Sequence, residues 1–96
     1  MNRNTVEKIK ILSSILAGES EVNDINNFLF ELLTPSELEA LSKRWQILEM
    51  LSAGRTQRDI AKELRVSLCK VTRGSQILKK RNSVTVKYLN NKICYD

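Results

Sequence analysis

The chain has 96 residues, of which 42% are hydrophobic and 28% charged, so it suits one globular domain and is too short for two. It contains no histidine, and the spacing of its two cysteines, Cys69 and Cys94, suggests neither a metal site nor a disulfide. We therefore predict that the protein is not an enzyme and binds no metal. The chain carries a net charge of +5 and has neither an apolar run of membrane length nor a signal-peptide core. We therefore expect a cytoplasmic protein that does not associate with membranes.

The first half of the chain has the hydrophobic periodicity of three amphipathic helices. The spacing of apolar residues predicts the first helix over residues 5–16 and the second over residues 25–33. A third runs from Pro35 to about Ala53, with Thr34 as its N-cap and Gly54 as the glycine that ends it. The apolar side of this third helix is expected to hold Leu38, Leu41, Trp45, Leu48 and Leu51.

A shorter pattern between residues 56 and 80 predicts two helices that meet at a tight turn. Thr56 can cap the first of them and Ser67 the second. When Gln57 is counted as the first position, the small residue Ala61 falls fifth and apolar residues fall tenth and fifteenth, which is typical of a helix-turn-helix. Arg65 stands at the turn position where a left-handed backbone favours glycine. The predicted buried positions are Ile60, Leu64, Val66, Leu68, Val71, Ile77 and Leu78.

A last helix is predicted from Val84 to Ile93, although its β-branched start weakens the helical preference. The fold class is therefore all-α, in a single domain over residues 1–96. We expect residues 1–54 to form a dimerisation core, 56–80 a DNA-reading helix-turn-helix, and 82–96 a C-terminal helix.

The positive charge is concentrated in the second half of the chain. Residues 1–54 carry −3 and residues 55–96 carry +8, with no acidic residue between Glu63 and Asp96. This asymmetry favours nucleic acid as the partner over a membrane surface. A plain helical hairpin would mix acidic and basic residues on its outer face. The sequence therefore favours double-stranded DNA as the partner. Gln57 and Arg58 are expected to contact it from the start of the first motif helix, where Arg58 could reach a guanine. The expected contacts of the second helix are Ser67, Leu68, Cys69 and Lys70 at base edges and Thr72, Gln76 and Lys79 at phosphates.

The segment from about Leu32 to Lys79 resembles the Trp repressor family. The residues that carry the resemblance are Leu33-Thr34-Pro35, Glu39-Ala40-Leu41, Arg44, Gly54, Thr56-Gln57-Arg58, Val71-Thr72-Arg73-Gly74-Ser75 and Leu78-Lys79. The resemblance implies about six helices per subunit, an intertwined homodimer and repression from a palindromic operator, with L-tryptophan as corepressor.

The resemblance also implies the parts of a corepressor site. Arg44 and Arg73 would hold the indole between their guanidinium planes, and Arg73 would pair with the carboxylate, helped by the Thr34 hydroxyl. Gly74 would leave room for the ring beside the backbone. The ammonium group would be bound by two backbone carbonyls, those of Glu31 and Leu33.

Two features keep other interpretations open. Ile77 stands where the family has a serine that assists the ammonium group, so the ligand could differ from tryptophan or be absent. Cys69 could be a small buried thiol as readily as a groove contact. The alternatives are a related regulator with another ligand or none, and a basic module that binds nucleic acid without sequence preference.

Overall fold

A computed structural model describes residues 1–90 of the chain. The secondary structure of these residues consists of helices joined by short connections, with no β-strand among them, so the predicted all-α class is confirmed. The chain divides into two compact units, with the division between Leu38 and Glu39. The predicted single domain with boundaries at residues 54 and 80 stays a prediction. In chain order the helices are α1 (Arg3–Gly18), α2 (Val22–Leu32), α3 (Pro35–Ser52), α4 (Gln57–Leu64), α5 (Leu68–Lys79) and α6 (Val84–Asn90).

Helices α1 and α2 carry apolar residues that stay open to solvent in the single chain. Neither helix contains a buried residue. α1 begins two residues before the predicted start because the Asn2 side chain accepts the amide hydrogen of Thr5 at 2.8 Å and caps the helix. In α1, Val6 and Ile9 are both more than half exposed, and in α2 Phe30 is 64% exposed. These helices leave apolar surface without a partner.

The start of α3 is fixed by a reciprocal pair of hydrogen bonds. The amide of Glu37 donates to the Thr34 hydroxyl oxygen at 3.2 Å, and the amide of Thr34 donates to the Glu37 carboxylate at 2.9 Å. This capping box satisfies two backbone donors that would otherwise lack partners. It confirms Thr34 as the N-cap, and the hydrogen bonds from Thr34 lower the pKa of Glu37 below its ordinary value.

We expect Glu37 to make stability depend on pH. Since its pKa is lower in the folded than in the unfolded chain, ionised Glu37 stabilises the native state at neutral pH, and this contribution is lost as the pH falls through the folded-state value. Unfolding midpoints of the wild type and Glu37→Gln, measured from about pH 3 to about pH 7, should therefore converge at the acidic end. Parallel curves would contradict this role.

The turn between α4 and α5 has the two caps and the left-handed residue that the sequence predicts for a helix-turn-helix. The Thr56 hydroxyl accepts the amide hydrogen of Asp59 at 3.2 Å, and the Ser67 hydroxyl accepts that of Lys70 at 3.4 Å, so both predicted caps are confirmed. Arg65 adopts the left-handed conformation, with φ 55° and ψ 48°. The arginine therefore fills the position where glycine is preferred, at a steric cost of roughly 1 kcal/mol.

Arg65→Gly should raise the free energy of unfolding by about 0.5–1 kcal/mol, because it removes the Cβ that crowds a left-handed backbone. Thermal or urea unfolding at fixed protein concentration measures the gain. Arg65→Ala is the matched control, since it removes the same guanidinium but keeps the Cβ, and it should give no such increase. Equal effects of the two variants would assign the change to the lost charge.

The second unit is built on a small core to which three helices each contribute one residue. Ile47 of α3, Ile60 of α4 and Val71 of α5 are each at most 2% exposed. The half-buried residues that pack against them are Met50, Leu51, Ala61, Leu64 and Val66, which confirms the predicted contacts between the motif helices. The prediction that Leu68 is buried is wrong. It is the first residue of α5, beyond the end of this cluster, and it is 48% exposed.

The final helix begins at Val84, as predicted, after a turn in which Asn82 has a φ of 60°. The Ser83 hydroxyl accepts the amide hydrogen of Val86 at 3.4 Å and so caps the helix. The predicted continuation to Ile93, and Cys94 after it, lie outside the described residues. No helix within residues 1–90 has both the length and the apolar character that crossing a bilayer requires.

Candidate ligand pocket and DNA-binding surface

A cavity of about 140 Å³ lies between α3 and α5 in the second unit. α3 contributes Arg44, Ile47 and Leu48, which are three and four residues apart and so share one helix face. α5 contributes four residues with the same periodicity, Lys70, Arg73, Gly74 and Ile77. The result is an apolar floor with cationic side chains around it.

Gly74 lies where α5 approaches α3 most closely at this cavity. It is buried, and a Cβ added there would lie 2.9 Å from Cγ2 of Ile47 and 3.3 Å from Cδ1 of Leu51. The first distance is shorter than real Cβ contacts allow, so any other residue at this position would force either the Ile47 side chain or α5 to shift. The packing of α5 against α3 therefore favours glycine here.

The cavity is strongly positive. Three of its seven lining residues, Arg44, Lys70 and Arg73, are cations, and none is acidic. The ion pairs of the described residues involve Arg3, Lys43 and Arg55 instead, so the three cations of the cavity are not neutralised by a carboxylate there. Such a site attracts an anionic group. The described residues hold no cluster of three or more carboxylate, thiol or imidazole groups that could bind a metal.

α5 also presents an exposed surface that begins at its N-terminus. Leu68, Cys69 and Lys70 are all exposed, so the alternative that Cys69 is a buried thiol is wrong for the single chain. Five further residues that the sequence predicts to contact DNA are also exposed: Arg58, Ser67, Thr72, Gln76 and Lys79. None of the residues of α5 is acidic. The positive, solvent-facing helix that the sequence predicts is therefore present.

One hydrogen bond joins the beginnings of the two motif helices. The Thr72 hydroxyl lies 2.9 Å from the Gln57 side-chain oxygen and 3.0 Å from the backbone carbonyl of Leu68, and both are acceptors. Because phosphate oxygens accept hydrogen bonds, Thr72 would have to leave these partners to donate to DNA. Gln57 is half-buried, and its amide NH₂ group remains able to donate. In the single chain the Thr72 hydroxyl is therefore engaged within the motif.

The family model described as Trp repressor protein matches residues 7–93 of the chain. The chain belongs to the Trp repressor family. It is similar to a Trp operon repressor homolog of Xylella fastidiosa, with 34% identity over 90 residues, or 93% of this chain and 96% of the relative. Trp operon repressor homologs of Photobacterium profundum and Aliivibrio salmonicida are 44% identical over 59 residues and 39% identical over 67. These alignments cover 60% and 69% of this chain, and 57% and 62% of the respective relatives. No solved structure gives a significant match.

Trp repressor proteins are DNA-binding regulators, not enzymes, and this chain is a repressor-type regulator. Of the six residues that the resemblance assigns to a corepressor site, the structure brings Arg44, Arg73 and Gly74 together in one cavity. Glu31, Leu33 and Thr34 belong to residues 1–38, and their part in ligand binding stays a prediction.

Sequence reasoning missed three residues that line the cavity, Ile47, Leu48 and Lys70. The sequence predicts Leu48 in the core and Lys70 at DNA, and it predicts no role for Ile47. The periodicity contained a signal, since Ile47 and Leu48 follow Arg44 by three and four residues and Lys70 precedes Arg73 by three.

Proposed function

We propose that the chain is a sequence-specific transcriptional repressor that requires a small-molecule corepressor, with L-tryptophan as the first candidate. The observation that carries this proposal is that α5 contributes to two surfaces at once. Lys70 and Arg73 line the cavity, while Leu68 and Cys69 at the same helix's start are exposed for contact with DNA. A ligand in the cavity therefore touches the helix that would enter the major groove.

The mechanism follows from the position of the cavity between α3 and α5. A planar ligand between Arg44 and Arg73 would restrict the tilt of α5 relative to α3. With the tilt restricted, less conformational freedom remains to be lost when the helix binds DNA. Such coupling is reciprocal, so the ligand tightens DNA binding by the same factor by which DNA tightens ligand binding.

The proposed active form is a homodimer that binds a palindromic operator in the cytoplasm. The open apolar residues of α1 and α2 support this, since a 96-residue chain gains stability by burying such surface against a second copy. Two symmetry-related α5 helices would then meet successive major grooves ~34–36 Å apart. The genes proposed to be regulated are those of tryptophan biosynthesis or transport.

The deciding experiment selects an operator from random duplexes in the presence of L-tryptophan and then measures its affinity with and without the ligand. We expect a palindromic consensus and tighter binding with ligand. Affinity that depends on salt but not on sequence would identify a nonspecific nucleic-acid-binding module. A consensus without any effect of ligand would identify a repressor that needs no corepressor.

Arg73→Ala should weaken ligand binding by about tenfold or more, because it removes both a stacking plane and a carboxylate partner. Arg73→Lys is the matched control for charge, and it should restore only part of the affinity because an ammonium group cannot stack as a planar guanidinium does. Calorimetry with L-tryptophan measures both. The affinity of Arg73→Ala for nonspecific duplex DNA at the same salt concentration should change much less than its affinity for L-tryptophan. If operator binding by Arg73→Ala still responded fully to L-tryptophan, this cavity would not be the ligand site.

A further inference from the structure

We propose that the end of α5 and the residues after it form a second DNA-contacting surface, the basic turn, which binds the sugar-phosphate backbone beside the major groove. The basic turn is defined as Lys79, Lys80 and Arg81. The inference rests on the proposed function in one respect, since its partner is the duplex that α5 enters. It goes beyond that function because Lys80 and Arg81 belong neither to the predicted DNA contacts nor to the cavity between α3 and α5.

The backbone of the basic turn is held by hydrogen bonds on both sides. The amide of Lys80 donates to the carbonyl of Ile77 at 3.3 Å, and the amide of Ser83 donates to the carbonyl of Lys80, also at 3.3 Å. Between them, Asn82 adopts the left-handed conformation, which asparagine tolerates better than most residues. Because this backbone is ordered before any partner binds, less conformational freedom is lost when its side chains contact a phosphate.

The charge of the basic turn is exposed and not neutralised. All three of its side chains are exposed, and its two lysines line an open groove of about 460 Å³ together with Arg73, Gln76 and Ile77. The chain has no acidic residue between positions 64 and 90, and the ion pairs found within residues 1–90 involve other cations. The C-terminus of α5 adds the equivalent of about half a negative charge, which three cations outweigh. Such a surface attracts a polyanion.

The length of α5 places the basic turn outside the groove that its first residues enter. α5 has 12 residues and is therefore about 18 Å long. The major groove is about 8.5 Å deep, and the second helix of a helix-turn-helix contacts base edges with its N-terminal residues. With Leu68 and Cys69 at base edges, the last turn of α5 lies at the level of the phosphates. Lysine and arginine side chains both donate charge-assisted hydrogen bonds to phosphate oxygens.

The first test removes charge from the protein and from the DNA in turn. Operator duplexes that each carry one neutral methylphosphonate are titrated with the full-length wild type and with the double variant Lys80→Gln, Arg81→Gln. Neutralising a contacted phosphate should weaken wild-type binding by about threefold or more, and it should have little further effect on the variant, which has already lost the cation. Lys8→Gln, Lys10→Gln is the matched control, since it removes two exposed cations from α1, and it should respond as the wild type does.

The second test needs no operator, because it measures how binding to a duplex of random sequence depends on salt. Each phosphate contact contributes about 0.9 to the slope of log affinity against log salt concentration, so the Lys80→Gln, Arg81→Gln variant should lose about 1.8 of that slope per subunit. Between about 50 and 200 mM salt, the loss of affinity should therefore be about tenfold smaller for the variant than for the wild type. The α1 control should keep the wild-type slope.

The outcomes distinguish this inference from the proposed function. The variant should keep its affinity for L-tryptophan and its selected consensus, because Lys80 and Arg81 lie outside the cavity lining and phosphate contacts carry no sequence information. A variant with the wild-type salt slope and the wild-type response to methylphosphonates would overturn the inference and leave the proposed repressor in place. A wild type that selected no consensus would contradict the proposed function, and the salt slopes would still decide the role of the basic turn. Equal DNA affinity, with binding to phosphatidylserine vesicles lost only in the variant, would overturn the inference in favour of a membrane surface.

Discussion

Ile60→Ala is expected to lower the free energy of unfolding by about 2–5 kcal/mol. Ile60 is fully buried, and it is the residue of α4 in the core shared with Ile47 of α3 and Val71 of α5. Alanine at this position would lose the burial of three carbon atoms and leave a cavity that the short helix α4 cannot close by moving alone. Since α4 has only eight residues, it has little stability of its own and depends on this contact.

Urea unfolding monitored by Trp45 fluorescence measures this loss, at one protein concentration because dimer formation would shift the apparent stability. Ile60→Val is the graded control and should cost only about 0.5–1.5 kcal/mol. Operator binding should fall with stability in both variants, because Ile60 holds α4, the helix that carries Arg58, in the core shared with α5. A cost below about 1 kcal/mol for the alanine variant would contradict the packing of α4 on the other two helices.

The starts of α3, α4 and α5 could be predicted because the residues that set them act locally. Thr34, Thr56 and Ser67 each accept a backbone hydrogen bond three residues ahead, and such a pattern can be identified without knowing the fold. Gly54 ends α3 with a φ of 89°, and the amide of Arg55 donates back to the carbonyl of Met50 at 3.1 Å. The left-handed turn at Arg65 was also predictable from the motif spacing alone.

The faces of the helices were harder to predict, because they depend on how the helices pack. Leu41 was assigned to the apolar side of α3, but it is 44% exposed, and Ile47 is buried instead. The face of α5 that approaches α3 is the one that carries Gly74, where a Cβ would lie only 2.9 Å from Cγ2 of Ile47. The spacing of three residues places Lys70 on the same face of α5 as Arg73, but that this face lines a cavity depends on the contact between α5 and α3.

The second large effect is expected for Gly74→Val. The substitution would place three carbon atoms where even a Cβ would lie 2.9 Å from Cγ2 of Ile47, so α5 must shift or the side chains must leave their preferred rotamers. Overpacking of this kind typically costs about 1–3 kcal/mol, and the close approach to Ile47 places this variant near the upper end of that range. Because Gly74 lines the cavity, ligand affinity should fall together with stability.

Gly18→Val is the matched control, since a Cβ at Gly18 would meet no atom within 4 Å, and it should change stability little. The contact itself is tested by combining Gly74→Ala with Ile47→Leu, because leucine has no Cγ2 atom. If the 2.9 Å contact is the source of the strain, the double variant should be more stable than Gly74→Ala alone. Additive losses in the double variant would instead mean that the glycine is required for some reason other than the approach of α3 to α5. In that case α3 could no longer be held to fix the position of α5, and the proposed coupling between ligand and DNA would lose its physical basis.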